Sequence, residues 1–359
     1  MAGVDIIARI EGSVEDGGWR TSGSVIGEAE RLEFYQQLES WFDLYAGGWE
    51  ALPRPGFAGH LLPEPWEKTF QTSVAPWNGY TAQEFMKKGR VQGIFFRDEA
   101  SPANRHQIID MTYAKIVYEI FGGHCNLMRA DQAALYDNSL WGGAFSTVTS
   151  PEGFVSLDFD FSSSSAVDEY EVKEGNFWER LREIAEIDRY LLYVSKNGVL
   201  HFGPHPMFGG ALPTPVFTLG NDWLAEPLRF ERRNGEEIGQ VILHGVTPRG
   251  LQLRGRYPTD ANPGPIVERS GYVATTNALM NTISERIFKF ENRDYTVEVR
   301  IGSGVGLLVE LLDRVQITYM SLADGINWNS KKFWIHKVVV ELLSNFTART
   351  MLRLEAENG

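Results

Sequence analysis

The chain has 359 residues, and 34 Lys and Arg against 47 Asp and Glu leave a formal net charge of −13. At roughly 100–200 residues per domain, that length allows two or three domains, each able to bury a core. Apolar residues at 43% and charged residues at 23% exclude wholesale disorder and a fibrous repeat, and the acidic balance argues against clinging to nucleic acid by neutralising phosphates. The single cysteine, Cys125, excludes an internal disulfide and a Cys-x-x-Cys zinc or redox motif, so packing must hold the fold. No stretch approaches the ~18 uninterrupted apolar residues of a membrane helix, and Met1–Ile10 lacks a basic start and apolar run; synthesis in the cytoplasm without a signal peptide is expected. Ten Trp, 12% aromatics and 36 Gly point to a β-rich chain with many turns.

The opening segment alternates Val4, Ile6, Ala8 and Ile10 with Asp5, Arg9 and Glu11, the period of a strand with one buried face. Gly17-Gly18 supplies a turn. Leu32, Tyr35, Leu38, Phe42 and Tyr45 predict a helix over 28–46 that stops at Gly47-Gly48. Between Leu52 and Trp77, Pro53, Pro55, Pro63, Pro65 and Pro76 predict an extended loop, suited to reach a neighbour. After a short apolar segment from Gln92 to Arg97, Ser101-Pro102 predicts a helix start. Ile108, Ile109, Tyr113, Ile116, Val117, Ile120 and Phe121 would form its stripe and Gly122-Gly123 its end.

Val155, Leu157, Phe159 and Phe161 alternate with polar residues as a strand does. Asn176 is placed to cap a helix through Phe177, Leu181, Ile184 and Ala185. Tyr190–Ser195 and Val199–Phe202 flank Asn197-Gly198, a hairpin turn. Prolines and glycines between Gly203 and Pro215 mark a domain boundary. Beyond it, Ile238–His244 and Leu251–Arg254 read as paired strands, and Thr276 caps a helix carrying Leu279, Met280, Ile283 and Ile287. Alternation at Tyr295–Ile301 and Val315–Tyr319, a turn at Asp324-Gly325, and apolar runs at Phe333–Leu343 and Ala348–Leu354 complete the pattern. A mostly antiparallel barrel carrying one helix satisfies this order.

Reactive constellations are weak. His201 and His205 have the i, i+4 spacing of a helical zinc pair, but Gly203 and Pro204 between them place the pair on a strand running into a loop. Asp158 and Asp160 share a strand face, where solvated edges are commoner than cation sites. His124 beside Cys125 reads as the end of a helix with a small buried thiol rather than a nucleophile and base. Gly302, Gly304 and Gly306 make a GxGxG without the following parallel unit of a dinucleotide site, so a bulge or loop needing free backbone is expected. Asn345-Phe346-Thr347 matches a glycosylation sequon, which carries weight only in a secreted chain. Trp41, Trp49, Trp66 and Trp77, in or beside the proline-rich region, suit core or interface more than sugar stacking. No catalytic, cofactor-binding or metal-binding residue is assigned.

Four runs in order carry a family resemblance: Arg90-Val91-Gln92-Gly93-Ile94 through Asp98, Ser101-Pro102-Ala103-Asn104 and on to Gly122-Gly123-His124-Cys125; Glu174-Gly175-Asn176-Phe177-Trp178, Tyr193–Gly198 and Leu200-His201-Phe202; Ile238 to Gly245; and Leu312-Asp313-Arg314-Val315, Asp324-Gly325, Trp334–Lys337 and Thr347–Leu354. In this order the chain resembles the baseplate hub or tail-tip hub proteins of bacteriophages, related to the late control protein D family and to the hubs of contractile injection systems. The resemblance implies an α+β, β-rich fold, with two barrel-like tail-tube-related domains (1–97 and 213–359) flanking a smaller α+β domain (98–212). It implies a structural protein and not an enzyme, a threefold hub ring joining the six-fold tail tube to the tip or spike around the DNA channel.

The implied partners are two further copies of the chain, a tail tube or distal tail protein, a tip, spike or fibre protein and the tape measure protein, with DNA only in transit, no membrane insertion and no cofactor. The implied place is the virion tail tip, after synthesis in the host cytoplasm. The net charge of −13 suits both solubility and a lumen that repels phosphates. The chain departs from the family in its first domain, where a helix and a proline-rich loop stand in place of strands, and it ends just after its last strand, so a spike or lysozyme-like module is expected on a separate chain. Two other functions compete: a carbohydrate-binding tail-tip adhesin using the loop tryptophans, and a metal hydrolase using His201, His205 and Asp158.

Overall fold

A computed structural model describes residues 5–27, 60–63, 67–68, 73–80, 90–98, 107–109, 111–123, 156–196, 199–208, 212–232, 237–247, 249–274, 276–292, 295–321, 326–343 and 347–357. The helix expected over 28–46, Ser101-Pro102, His124 and Cys125, Trp41, Trp49 and Trp66, and the turns at Asn197-Gly198 and Asp324-Gly325 lie outside these residues. In chain order come β1 (Asp5–Ser13), β2 (Gly18–Gly27), β3 (His60–Pro63), β4 (Glu67–Lys68), β5 (Ser73–Tyr80), β6 (Arg90–Asp98), β7 (Gln107–Ile109) and helix α1 (Tyr113–Gly123). Then follow β8 (Ser156–Phe159), β9 (Glu169–Asn176), α2 (Phe177–Asp188), β10 (Leu191–Val194) and β11 (Val199–Gly203). The rest holds β12 (Thr218–Leu219), β13 (Arg229–Arg232), β14 (Gln240–Val246), β15 (Gln252–Tyr257), β16 (Ile266–Val273), α3 (Asn277–Glu291), β17 (Tyr295–Ile301), β18 (Arg314–Ser321), β19 (Ile326–Leu343) and β20 (Thr347–Ala356). The fold is α+β and β-rich.

Among the described residues, eleven strands form one sheet in the order β13-β17-β20-β19-β1-β2-β5-β3, with β18 on β19, β12 on β18 and β4 on β5. The first and last thirds of the chain are therefore joined by β1 and β19. Strand β19 is 18 residues long. One of its edges carries β20 over Phe333–Leu343. The other carries β18 against Ile326–Trp334 and then β1 against Lys337–Leu342. The hand-over falls at His336, an extra residue inserted opposite β20 by a register shift between Ile335 and Lys337. Its carbonyl accepts from the Val14 N–H at 3.0 Å, whereas the Ile335 carbonyl accepts from the Leu312 N–H at 2.7 Å.

Strand β1 buries Ile10 as its alternation predicts, but Glu11, expected on the wet face, is also buried. Three cations, Arg9, Arg20 and Lys337, gather on its carboxylate. Burial works to raise the Glu11 carboxyl, and the hydrogen bonds from Lys337 and Arg20 outweigh it and hold the group below its ordinary value. The proline-rich segment, expected as loop, supplies β3, β4 and β5 instead. Strand β4 faces Ser73 and Val74 and β3 faces Trp77–Tyr80, so Pro76 falls in the gap between them, a place where a strand tolerates proline.

Two three-stranded sheets, β10-β11-β8 and β7-β6-β9, enclose α1 and α2. Phe95, Ile116, Trp178, Leu181 and Phe202 lie in their shared core. Helix α1 starts at Tyr113, later than expected, because Ile108 and Ile109 belong to β7, which pairs parallel with β6. The hydroxyl of Thr112 accepts from the Lys115 N–H at 3.3 Å. The cap of α2 is as expected: Asn176 Oδ1 accepts from the Trp178 and Glu179 N–H groups at 3.0 and 3.3 Å.

The strands at 238–254 do not join a barrel with those at 295–354. They form a separate sheet, β15-β14-β16, under α3. Val241 and Leu243 meet Met280, Ile283 and Ile287 there. Gly255 makes the approach possible, since a Cβ on it would lie 2.4 Å from the Met280 backbone. Thr276 caps α3 as expected, accepting from the Leu279 N–H at 3.2 Å.

Of the GxGxG glycines, Gly306 is required by packing: an added Cβ would meet Val340 at 2.5 Å and Thr350 at 2.8 Å, whereas at Gly302 the nearest atom is 4.0 Å away. Gly306→Ala should therefore destabilise the protein by about 1–3 kcal/mol, and Gly302→Ala by no more than about 0.5 kcal/mol. Urea denaturation midpoints of the two variants measure the difference.

Candidate functional site

Among the described residues, the amino-terminal hairpin, the α+β unit and the long sheet meet in a tightly constrained junction. The β1-β2 turn brings Gly17 (φ +80°) against Trp178, where a Cβ would lie 2.2 Å from the indole, and the Gly17 carbonyl accepts from the Val194 N–H at 2.9 Å. Next to it Trp19 is wholly buried. Its Nε1–H donates to Glu310 Oε1 at 2.6 Å. The same oxygen accepts from the Leu311 N–H at 2.8 Å, and Oε2 accepts from the Lys196 N–H at 2.8 Å. Lys196, itself buried, donates from Nζ to the Leu307 carbonyl at 2.8 Å and lies 4.7 Å above the Trp19 ring. One carboxylate thus binds three chain segments. Burial pushes the Glu310 carboxyl above its ordinary value, while the Lys196 charge and the N–H donors work against that rise.

A cavity of about 270 Å³ opens beside this junction. The hairpin contributes Val14 and Glu15, α2 and its exit Arg182, Glu186 and Arg189, and α3 contributes Arg286 and Phe290. Arg286 is buried and donates from Nη1 to the carbonyls of Ser163 and Asp188 at 3.4 and 3.3 Å, so it holds α3 to the α+β unit. Asp188 is also buried; its Oδ2 accepts from the Ser164 hydroxyl and the Ser165 N–H. Burial raises its carboxyl, against those hydrogen bonds and the Arg286 charge.

At the far wall of the cavity stand His205, His336 and Glu355. His205 follows β11, just before a 3₁₀ turn at Pro206–Phe208. His336 is the inserted residue of β19, and Glu355 lies on β20. The His336 Nε2 is 2.7 Å from Glu355 Oε2 and 3.4 Å from His205 Nε2. The two rings are 13° from parallel with centroids 5.6 Å apart. The Met207 N–H donates to His205 Nδ1 at 3.1 Å.

The residues considered from sequence are divided among different tasks. His201 and Asp158 do come together, opposite one another on β11 and β8, with Nδ1 2.7 Å from Oδ2. His205 does not join them, because the chain turns at Gly203 and Pro204 and carries it to the β19 bulge. Asp160 does not join Asp158 either: burial works to raise its carboxyl, and hydrogen bonds from Ser163 and Ser162 overcome this and hold it low. Trp77 lies on β5 in the long sheet. Sequence reasoning missed Glu310, Lys196, His336 and Glu355. For Glu355 a signal existed in the alternation with Leu352 and Leu354; His336 and Glu310 stand in apolar runs that read only as core.

No protein-family model and no curated protein matches the chain. Solved structures do. The tail protein of Neisseria meningitidis MC58 superposes with a TM-score of 0.58 at 13% identity, covering 99% of this chain and 96% of that one. The chain shares the fold of this tail protein. The 43 kDa tail protein of prophage MuSo2 from Shewanella oneidensis matches with a TM-score of 0.52 at 9% identity over 98% of this chain and 94% of its own. The Escherichia coli c3393 protein, described as a type VI secretion component similar to phage T4 tail proteins, matches with a TM-score of 0.50 at 9% identity over 99% of this chain and 74% of its own. The expected resemblance to tail hubs is met at the level of fold.

Removing the carboxylate that ties the junction, by Glu310→Ala, should lower the unfolding free energy by about 3 kcal/mol or more, because Lys196 stays buried without it and N–H donors lose their acceptor. The pH dependence follows from the raised Glu310 carboxyl. Its folded-state proton is held more tightly than the unfolded one, so its contribution is complete below the ordinary 4.5 and is lost as pH rises through the higher folded value. The stability of the wild type relative to Glu310→Gln should accordingly fall as pH is raised above about 4.5, as read from urea titrations at several pH values.

Proposed function

We propose that the chain is a structural component of a phage tail or tail-like injection device, forming a threefold hub ring between the six-fold tube and the tip or spike. The observation that carries this reading is the full-length match in fold to tail proteins, 99% of this chain against 96% of the Neisseria protein. Strands from both ends of the chain are combined in one sheet; in this reading its amino- and carboxy-terminal portions would each face the tube, six portions in a ring of three chains. In this reading residues 1–97 and 213–359 supply the tube-like parts and 98–212 the intervening domain. The partners are a tail tube or distal tail protein on one side and a tip, spike or fibre protein on the other, with DNA in transit through the lumen. The place is the virion tail tip.

The work of such a protein lies in its backbone scaffold and surfaces, not in bond making. The net charge of −13 serves that task, since carboxylates along a lumen repel phosphate and keep DNA from binding.

Native mass spectrometry and particle imaging test the proposal together. The expected result is a species of three chains, placed as a ring at the end of the tail tube. A protein that stays monomeric at all concentrations and is missing from that position in assembled tails would overturn it.

A further inference from the structure

We propose that His205, His336 and Glu355 bind one divalent transition-metal ion of the zinc class, and that this ion ties the α+β unit to the long sheet. The proposal departs from the expectation that no side chain of this chain holds a metal, and it does not depend on the hub reading.

The first argument is convergence. One ligand atom from each of the three residues lies within 4.8 Å of the others, with His205 and His336 buried and Glu355 half-buried. Two imidazole nitrogens and one carboxylate oxygen are a ligand set that zinc accepts. Two nitrogens bound to zinc at 2.0–2.1 Å and a tetrahedral angle stand about 3.3 Å apart, and the two Nε2 atoms here are 3.4 Å apart. Glu355 Oε2 is 2.7 Å from His336 Nε2 and within 4.8 Å of the His205 ligand atom, close enough for a side-chain adjustment to bring it onto the same ion. The fourth position faces the cavity of about 270 Å³, which has room for water.

The second argument is proton bookkeeping. An imidazole nitrogen has one in-plane position, occupied by either a lone pair or a proton. At His336 Nε2 two neighbours compete for that position, Glu355 Oε2 and His205 Nε2. Because His205 Nδ1 accepts from the Met207 N–H, the proton of a neutral His205 is on Nε2 and points into the same space. A cation satisfies all three atoms at once, because each then presents a lone pair to it. On loading, the single proton of neutral His205 moves from Nε2 to Nδ1, so the Met207 amide gives up its acceptor. That hydrogen bond and the His336–Glu355 contact are exchanged for three metal bonds.

The third argument is placement. His205 and His336 are 131 residues apart in the chain, and His336 sits where β19 changes partners. A cross-link between them closes a long loop, where the entropic gain is large. The cavity wall brings Arg182, Arg189 and Arg286 together with Glu15, Glu186 and Glu355, so charges of both signs balance around the site.

The test uses the full chain, stripped with a chelator and titrated with Zn²⁺ by calorimetry, with bound metal counted by elemental analysis. One ion per chain is expected, with affinity falling at least tenfold in His336→Asn and in Glu355→Gln, and unchanged in His201→Ala, which removes the separate His201 and Asp158 pair. Co²⁺ in place of Zn²⁺ should give intense visible absorption bands of a tetrahedral site, and the Met207 amide resonance should shift on loading. Circular dichroism and thermal melting of the chelated variants separate a lost ligand from a lost fold; His205→Asn serves as the second variant if either of the others fails to fold. Binding of less than one ion, octahedral cobalt spectra, or affinity unchanged in folded variants would overturn the proposal.

Discussion

A buried carboxylate that must be satisfied from three directions organises this molecule. Glu310 can remain in its place only while the Trp19 indole, the Lys196 backbone and its own loop present N–H groups to it. An unsatisfied group of that kind is among the most expensive features a protein interior can hold. The amino-terminal hairpin, the α+β unit and the β18-β19 region are therefore not free to dock independently. Apolar packing would allow many slightly different seatings of one unit on another; the directional demand of the carboxylate selects one. The contacts of Gly17 with Trp178 and Val194 lie beside it and share the same registration.

Local structure was well expressed in the sequence. The β1 strand itself, the Asn176 and Thr276 caps and the paired strands at β14 and β15 all follow from patterns within about ten residues. Pairing over long distance was not. Nothing in the run Phe333–Leu343 announces that its edge passes from β18 to β1, because both partners need the same β-branched and aromatic side chains. The α1 boundary failed for a related reason. Ile108 and Ile109 fit a helical stripe and a strand equally well, and the parallel partner β6 decided in favour of the strand. Proline misled in the opposite direction between Leu52 and Trp77, because a gap in pairing on one edge accommodated Pro76.

The junction was legible only in fragments. The sequence drew attention to His205 through its spacing from His201, which is a helical measure. The chain there is a strand running into a turn, so the two histidines part company, and His201 finds Asp158 across the sheet instead. His336 owes its role to a one-residue register shift, a feature of the pairing that a single strand does not encode. The tail-protein likeness was carried by the order of several short motifs, and the fold matches tail proteins at 13% identity or below. What persists at that distance is the arrangement of strands, with few of the side chains that furnish it.

The 18 residues of β19 span about 60 Å at the rise of an extended strand. A pull along this direction is carried by covalent bonds from the β18 end to the β1 end, and the neighbouring ladders resist it in shear, many hydrogen bonds at a time. The seam between the two ends of the chain is thus bridged by a tendon, and a tug on either side is felt at the other without first prying a glued face apart.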